Sequence, residues 1–209
     1  MFKEAKPMWL ENMRKLSNLQ VGFRCDFAAD SVNEYVLVLT GATFYKVYLN
    51  GEFVCFGPAR TAHGYAKCDE IKLKVKNGVN KLAIEVAGYN CSSFYTVKTE
   101  SFLCAEVLLN GEAICWTGRD FKAFSLEKLR NICAARYSYQ RTYGEVWHYD
   151  NNDDLNGWKE NDMVTGDKTY SFNHEKKYIP RNLPEPNYEI DNALGICEKG
   201  KIVHKELDM

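Results

Sequence analysis

The sequence predicts an all-β fold, an antiparallel β-sandwich with one or two short helices, and three features of the chain carry that prediction. Three Asn-Gly pairs, Asn50-Gly51, Asn77-Gly78 and Asn110-Gly111, each lie between residues of strand character; both residue types accept the positive φ that a tight type I′ hairpin demands. Apolar and charged residues alternate with a period of two through residues 71–75 and 81–87, the pattern of a strand with one face in a core. Helical periodicity is sparse, and short apolar runs separated by turn residues point to packed sheets rather than to a βαβ architecture.

In chain order, residues 7–16 form the first helical candidate, and residues 23–27 and 32–39 read as strands of aromatic and branched side chains. Residues 43–49 and 52–56 pair as a hairpin through Asn50-Gly51. Ile71, Leu73 and Val75 alternate with Lys72, Lys74 and Lys76 before Asn77-Gly78 turns the chain into a second hairpin. There Leu82, Ile84 and Val86 share one face of the returning strand and Lys81, Ala83 and Glu85 the other. Residues 102–109 and 112–116 form the third hairpin around Asn110-Gly111, and residues 121–124 bring the total to about eight short strands. Behind Ser125 as N-cap, Leu126, Leu129, Ile132 and Cys133 make one apolar stripe over residues 126–135, the second helical candidate. Beyond about residue 150 the chain becomes polar and turn-rich, and IPRNLPEPNYE places three prolines within seven residues. Proline lacks the donor that a central strand needs, so this stretch reads as a crossover or linker. The expected organisation is an N-terminal extension over 1–20, a sandwich core over 21–150, and a proline-containing crossover or linker over 151–209 with room for an edge strand.

Lysine and arginine number 27 against 28 acidic residues, so no net field steers a polyanion to the surface and nucleic acid is excluded as a first expectation. Residues 1–20 hold no uninterrupted apolar stretch of the secretory type, and no run approaches the roughly 18 apolar residues of a membrane span. The expectation is a soluble, cytoplasmic chain without a membrane partner. The eight cysteines contain no C-x-x-C pair, which argues against zinc, and those inside apolar runs (Cys55, Cys104 and Cys115) read as buried free thiols.

Three segments carry a family resemblance. Residues 43–60, TFYKVYLNGEFVCFGPAR, resemble the strand–turn–strand signature, ending in G-P-x-R, of the N-terminal β-sandwich in bacterial α-L-rhamnosidases. Residues 76–89, KNGVNKLAIEVAGY, and 105–124, AEVLLNGEAICWTGRDFKAF, are similar to the next two strand segments of that domain, and order and spacing agree from about Leu19 to Pro186. The resemblance implies a jelly-roll-like, galactose-binding-like sandwich placed ahead of a helical-barrel catalytic domain that cleaves terminal rhamnose. In that family the catalytic carboxylates lie far downstream, in a stretch containing D-E-R-x-x-W-x-G-D, which this sequence lacks; NGWKEND at 156–162 shares only the Trp followed by acids. No catalytic residue is therefore carried over.

Glycoside hydrolysis needs two carboxyl groups about 5 Å apart for retention or about 6.5–9.5 Å for inversion. GEVWHYDNNDD, at 144–154, is the one place where acids cluster with rings, and it is similar to the family's G-E-x-Y-D-A-R segment with Asn151-Asn152 in place of Ala-Arg. The carbohydrate-binding candidates are accordingly Glu145, Trp147, Tyr149 and Asp150, with Trp158 from the next polar loop and Arg60 from just beyond Gly57-Pro58. Each has a structural alternative: the acids as a solvated turn, the Trp rings as packing, Arg60 as a clamp on a loop. Asp150, Asp153 and Asp154 also bunch oxygen ligands for calcium, though without the Gly and Glu positions of an EF-hand loop. No other cofactor is expected: the four histidines are scattered, and no phosphate-binding glycine motif or G-x-S-x-G elbow occurs. Two functional readings remain: a non-catalytic, carbohydrate-associated accessory module whose partners are a glycan or the downstream catalytic domain, or a structural interdomain sandwich that touches no sugar. A self-contained hydrolase using the acids of 145–154 is the third, minor alternative.

Overall fold

In the computed structural model, residues 1–126, 135–136, 138–146, 157–161, 165–189, 192, 194–196 and 198–200 are described. They form two face-packed sheets. One contains β1 (Met8–Leu10), β3 (Tyr35–Ala42), β6 (Tyr65–Lys72), β8 (Phe102–Leu109), β9 (Glu112–Trp116), β11 (Thr169–Ser171) and β12 (Lys177–Pro180). Its order is β11-β1-β8-β3-β6-β12, with β9 also paired to β8. The other has the order β10-β2-β7-β4-β5 and is built from β2 (Leu19–Ala29), β4 (Phe44–Leu49), β5 (Glu52–Gly57), β7 (Gly78–Gly88) and β10 (Lys122–Ser125). Every pairing is antiparallel except that of β12 with β6. The predicted antiparallel sandwich is thus present, with a single parallel strand at one edge.

The core forms where the alternating residues of the two sheets meet. Val21, Phe23 and Cys25 of β2, Leu82, Ile84 and Val86 of β7, and Tyr45 and Val47 of β4 pack against Leu37, Leu39, Leu103, Ala105 and Val107 of the facing sheet. Burying each large apolar side chain of this kind stabilises the fold by about 1.5–3 kcal/mol. Six cysteines, Cys25, Cys55, Cys68, Cys91, Cys104 and Cys115, are buried free thiols.

Two of the three Asn-Gly pairs close hairpins: Asn50 and Gly51 have φ of 53° and 83° between β4 and β5, and Asn110 and Gly111 have φ of 49° and 87° between β8 and β9. The third corrects the sequence expectation. Asn77-Gly78 joins β6 and β7, which belong to different sheets, so it is an intersheet crossover and not a hairpin. Its strands pair elsewhere because β7 is the spine of its own sheet, running beside all eleven residues of β2. Buried Asn80 holds the crossover: its Oδ1 accepts from the Lys76 amide at 3.0 Å, and its Nδ2 donates to the Lys76 and Gly78 carbonyls at 2.7 and 3.1 Å.

A second correction concerns residues 7–16. In place of a helix, Met8–Leu10 form β1, pairing with β8 and β11, and tight turns follow with Asn12 at φ 60°. A positive φ interrupts any helix, and fully buried Trp9 is worth more inside the sandwich than on a surface helix. Most of the second helical candidate, 126–135, lies outside the described residues. The helix that is described, α1 (Gly157–Glu160), falls in a stretch expected to be loop.

The outer faces of the sheets differ. On the first, Phe102, Cys104 and Ala42 are roofed by Phe2, Phe172 and Tyr178. Glu106 anchors the N-terminal part of that roof, accepting from the amides of Lys3, Glu4 and Ala5 at 2.8–3.0 Å. The second sheet carries the candidate site.

Candidate functional site

Strand alternation decides what the outer face of the second sheet presents. With Val21, Ile84, Val86, Tyr45 and Val47 committed to the core, the intervening residues point the other way. Register then aligns them: Gln20 lies beside Ala87 and Ala87 beside Phe44, while in the next row Glu85 lies beside Lys46 and Lys46 beside Phe56.

Phe44 and Phe56 stack with ring centroids 5.4 Å apart and planes inclined by 27°, and Tyr89 meets Phe44 edge-on at 6.1 Å. Next to this aromatic plane, Lys46 Nζ lies 3.8 Å from Glu85 Oε1. The Tyr89 hydroxyl donates to Glu145 Oε1 at 3.0 Å, bringing a loop carboxylate to the rim. These residues, with Gln20, Tyr95 and Thr142, outline a cleft of about 230 Å³. That is smaller than the roughly 300–1,000 Å³ of drug-sized pockets and suits a compact ligand. An apolar plane flanked by an ammonium, carboxylates and an amide matches a small ring with one C–H face and several hydroxyls.

The other half of the same face is covered by α1. Buried Arg24 donates to the Trp158 carbonyl at 3.0 Å, and Lys81 Nζ donates to the Glu160 carbonyl. Trp158 packs edge-on against Phe124 at 5.2 Å. Gly22 leaves the room for both, since an added Cβ there would come within 2.7 Å of the Phe124 ring. Lys159 lies over the Tyr48 ring, 3.8 Å from its centroid. Burial pushes the Lys159 ammonium below its usual value, with Lys46 adding to the shift and Glu85 opposing it. Burial, and then the Glu85 carboxylate, push the Tyr48 phenol up to about 12.

Of the residues that the sequence singles out, Glu145 lines the cleft and Trp158 packs over the adjoining half of the face. Arg60 stands beside a neighbouring cleft, donating to the Phe94 carbonyl at 3.1 Å. Trp147, Tyr149, Asp150, Asp153 and Asp154 lie outside the described residues, and among the described residues no three metal-ligating side chains assemble. Phe44, Lys46, Phe56 and Tyr89 are not among the sequence-derived candidates. Their signal was nonetheless present: once Tyr45 and Val47 are assigned inward, Phe44 and Lys46 must face out, on the same side as Glu85.

No protein-family model and no curated protein sequence matches the chain. Among solved structures, the GH78 family rhamnosidase of Bacillus sp. GL1 superposes with a TM-score of 0.79 at 21% identity, over 88% of this chain and 20% of its own. The α-L-rhamnosidase from Dictyoglumus thermophilum gives 0.59 at 14%, over 88% of this chain and 22% of its own. That from Aspergillus terreus gives 0.56 at 14%, over 82% and 21%. At these identities the likeness is one of fold, and the chain spans about one fifth of the length of the rhamnosidases it resembles.

Proposed function

We propose that this chain is a non-catalytic, carbohydrate-associated accessory module of an α-L-rhamnosidase-like glycoside hydrolase, with the cleft on the outer face of the β10-β2-β7-β4-β5 sheet as its saccharide-contacting surface. The observation that carries this reading is the Phe44–Phe56 stack beside the Lys46–Glu85 pair. A sugar ring lays its C–H face on an aromatic plane while its hydroxyls reach adjacent charged side chains. The fold shared with about one fifth of each of several rhamnosidases supports the accessory role; the reaction is left to the downstream helical-barrel domain that the sequence resemblance implies.

The test is an amide-resolved NMR titration of the chain with L-rhamnose and a rhamnosyl disaccharide, alongside a glycosidase assay. Saturable shifts centred on Phe44, Lys46, Phe56 and Glu85 are expected, weakened at least tenfold in Phe56→Ala, with no turnover of an aryl rhamnoside. Shifts that Phe56→Ala leaves unchanged would remove the proposed surface. Turnover that disappears in Glu145→Gln would make the chain an enzyme.

A structural interdomain role is the second reading. It draws on the exposed aromatic edge at β5, where Phe53 is 44% and Phe56 39% exposed and Tyr188 packs edge-on against Phe53 at 5.1 Å. It predicts no saccharide response, together with protection of this edge in the full-length enzyme.

A further inference from the structure

Phe44 and Tyr95 line the sheet-face cleft and also a second cleft behind it. This second space, of about 100 Å³, is bounded by the end of β3, by residues 58–62 after β5, by the start of β6 and by the 95–99 loop. Its charged residues are Arg60, Lys67 and Lys176, with no carboxylate in its walls. Arg60 is engaged only by the Phe94 carbonyl at 3.1 Å, and Lys67 by the Asn182 side-chain oxygen at 3.3 Å. Both partners are neutral, so three positive charges share one concavity without a counter-charge among the described residues. Burial pushes the Lys176 ammonium below its usual value, as expected of a cation half withdrawn from water.

The floor provides an independent observation. Thr40, fully buried at 0% exposure, lines this cleft, and its hydroxyl has no hydrogen-bond partner. A buried hydroxyl left unpaired costs about 1–3 kcal/mol, so any hydrogen bond it gains on binding is favourable. Thr43, Thr61, Thr96 and Thr99 add further hydroxyls around the walls.

We propose that this cleft takes the carboxylate-bearing unit of an acidic saccharide, a uronic acid, whose neutral neighbour lies against Phe44 and Phe56. The inference rests on the saccharide reading above and extends it: the shared Phe44 and Tyr95 make the two clefts adjacent subsites on one ligand path. Arg60 supplies the planar fork that matches a carboxylate, and Lys67 and Lys176 supply point charges beside it.

The experiment titrates the whole chain with glucuronate, glucose and acetate by amide-resolved NMR, in parallel with the Arg60→Gln/Lys176→Gln variant. Glucuronate is expected to shift residues 40–43 and 60–67 saturably, at least tenfold more tightly than glucose or acetate. The double variant is expected to lose at least tenfold in glucuronate affinity while its glucose response stays unchanged. Equal affinity for glucuronate and glucose, or an unaffected variant, overturns the proposal; acetate binding as tightly as glucuronate overturns its saccharide part. A rhamnoside response at Phe44 and Phe56 with a silent cationic cleft removes this inference and leaves the sheet-face reading intact. A glucuronate response confined to the cationic cleft, with Phe56 indifferent to every sugar, removes the joint ligand path and the sheet-face reading with it.

Discussion

At the scale of single residues, the fold depends on a few buried polar groups held by specific partners. Asp69 is fully buried; it accepts from the Tyr45 hydroxyl and, at 3.2 Å, from Arg181 Nη1. Gly57 is small for this reason, because an added Cβ would overlap both the Asp69 carboxylate and the Tyr45 hydroxyl. Burial, then the neighbouring Asp69 charge, push the Tyr45 phenol well above its usual value, so it stays a donor across the physiological range. Asp69→Ala leaves a buried phenol and a largely buried guanidinium without their shared acceptor and is expected to cost about 3–5 kcal/mol in urea denaturation; Tyr45→Phe, which removes one donor to a charged group, should cost about 1.5–3 kcal/mol. His174 makes a pH-dependent counterpart. Its Nδ1 accepts from the Lys176 amide at 3.1 Å and its Nε2 contacts the Tyr178 hydroxyl at 3.1 Å, so the neutral ring is the one that fits. Burial, with Lys176 and Arg14 nearby, holds its folded-state value below the usual 6.5. A histidine depressed in this way contributes stability that is complete above pH 6.5 and is lost as pH falls through that value towards the lower folded-state one. The melting temperature should therefore fall more steeply on acidification below pH 6.5 in the native protein than in His174→Gln.

At the scale of elements, the turns show how similar local sequence serves different ends. Asn50-Gly51 and Asn110-Gly111 are both left-handed, but their surroundings differ. An added Cβ at Gly111, φ 87°, would meet nothing within 4 Å, whereas one at Gly51 would run into the Glu160 side chain above it. Gly111→Ala is consequently expected to cost about 1–2 kcal/mol from backbone strain alone, measurable as a shift of the denaturation midpoint with an unchanged m-value. The β5 edge is closed by a side chain in place of a strand: the Tyr188 hydroxyl accepts from the Phe56 amide and donates to the Phe56 carbonyl, each at 3.1 Å. An exposed edge is a template for pairing with another chain, and Tyr188 occupies part of it.

At the scale of the whole molecule, segments distant in sequence complete the sandwich. β11 pairs with β1 and β12 with β6, α1 lies on the outer face of the second sheet, and Arg181 neutralises Asp69. A chain cut after residue 150 loses all four contributions at once. It is expected to bind a hydrophobic dye and to melt over a broad, weakly cooperative transition, seen by fluorescence and calorimetry, in contrast to the sharp transition of the full chain. Among the described residues no helix is long and apolar enough to cross a membrane.

Period-two alternation and positive-φ turn chemistry are local properties, and they determined the all-β class, both true hairpins and the core face of β7. The alternation even implied the outward Phe44, Lys46 and Glu85 that line the sheet-face cleft. What only the tertiary structure decided was pairing between distant segments. Asn77-Gly78 has the same dipeptide chemistry as its two counterparts, yet it crosses between sheets because β7 buries its apolar face beside β2 and β4, a choice made by strands distant in the sequence. Met8–Leu10 became a strand for the same reason, since the space beside β8 rewards burial of Trp9 more than a surface helix would. The meeting of Phe44 with Phe56 and of Tyr89 with Glu145, and the three cations around Thr40, likewise depend on register and sheet packing, which no local pattern encodes.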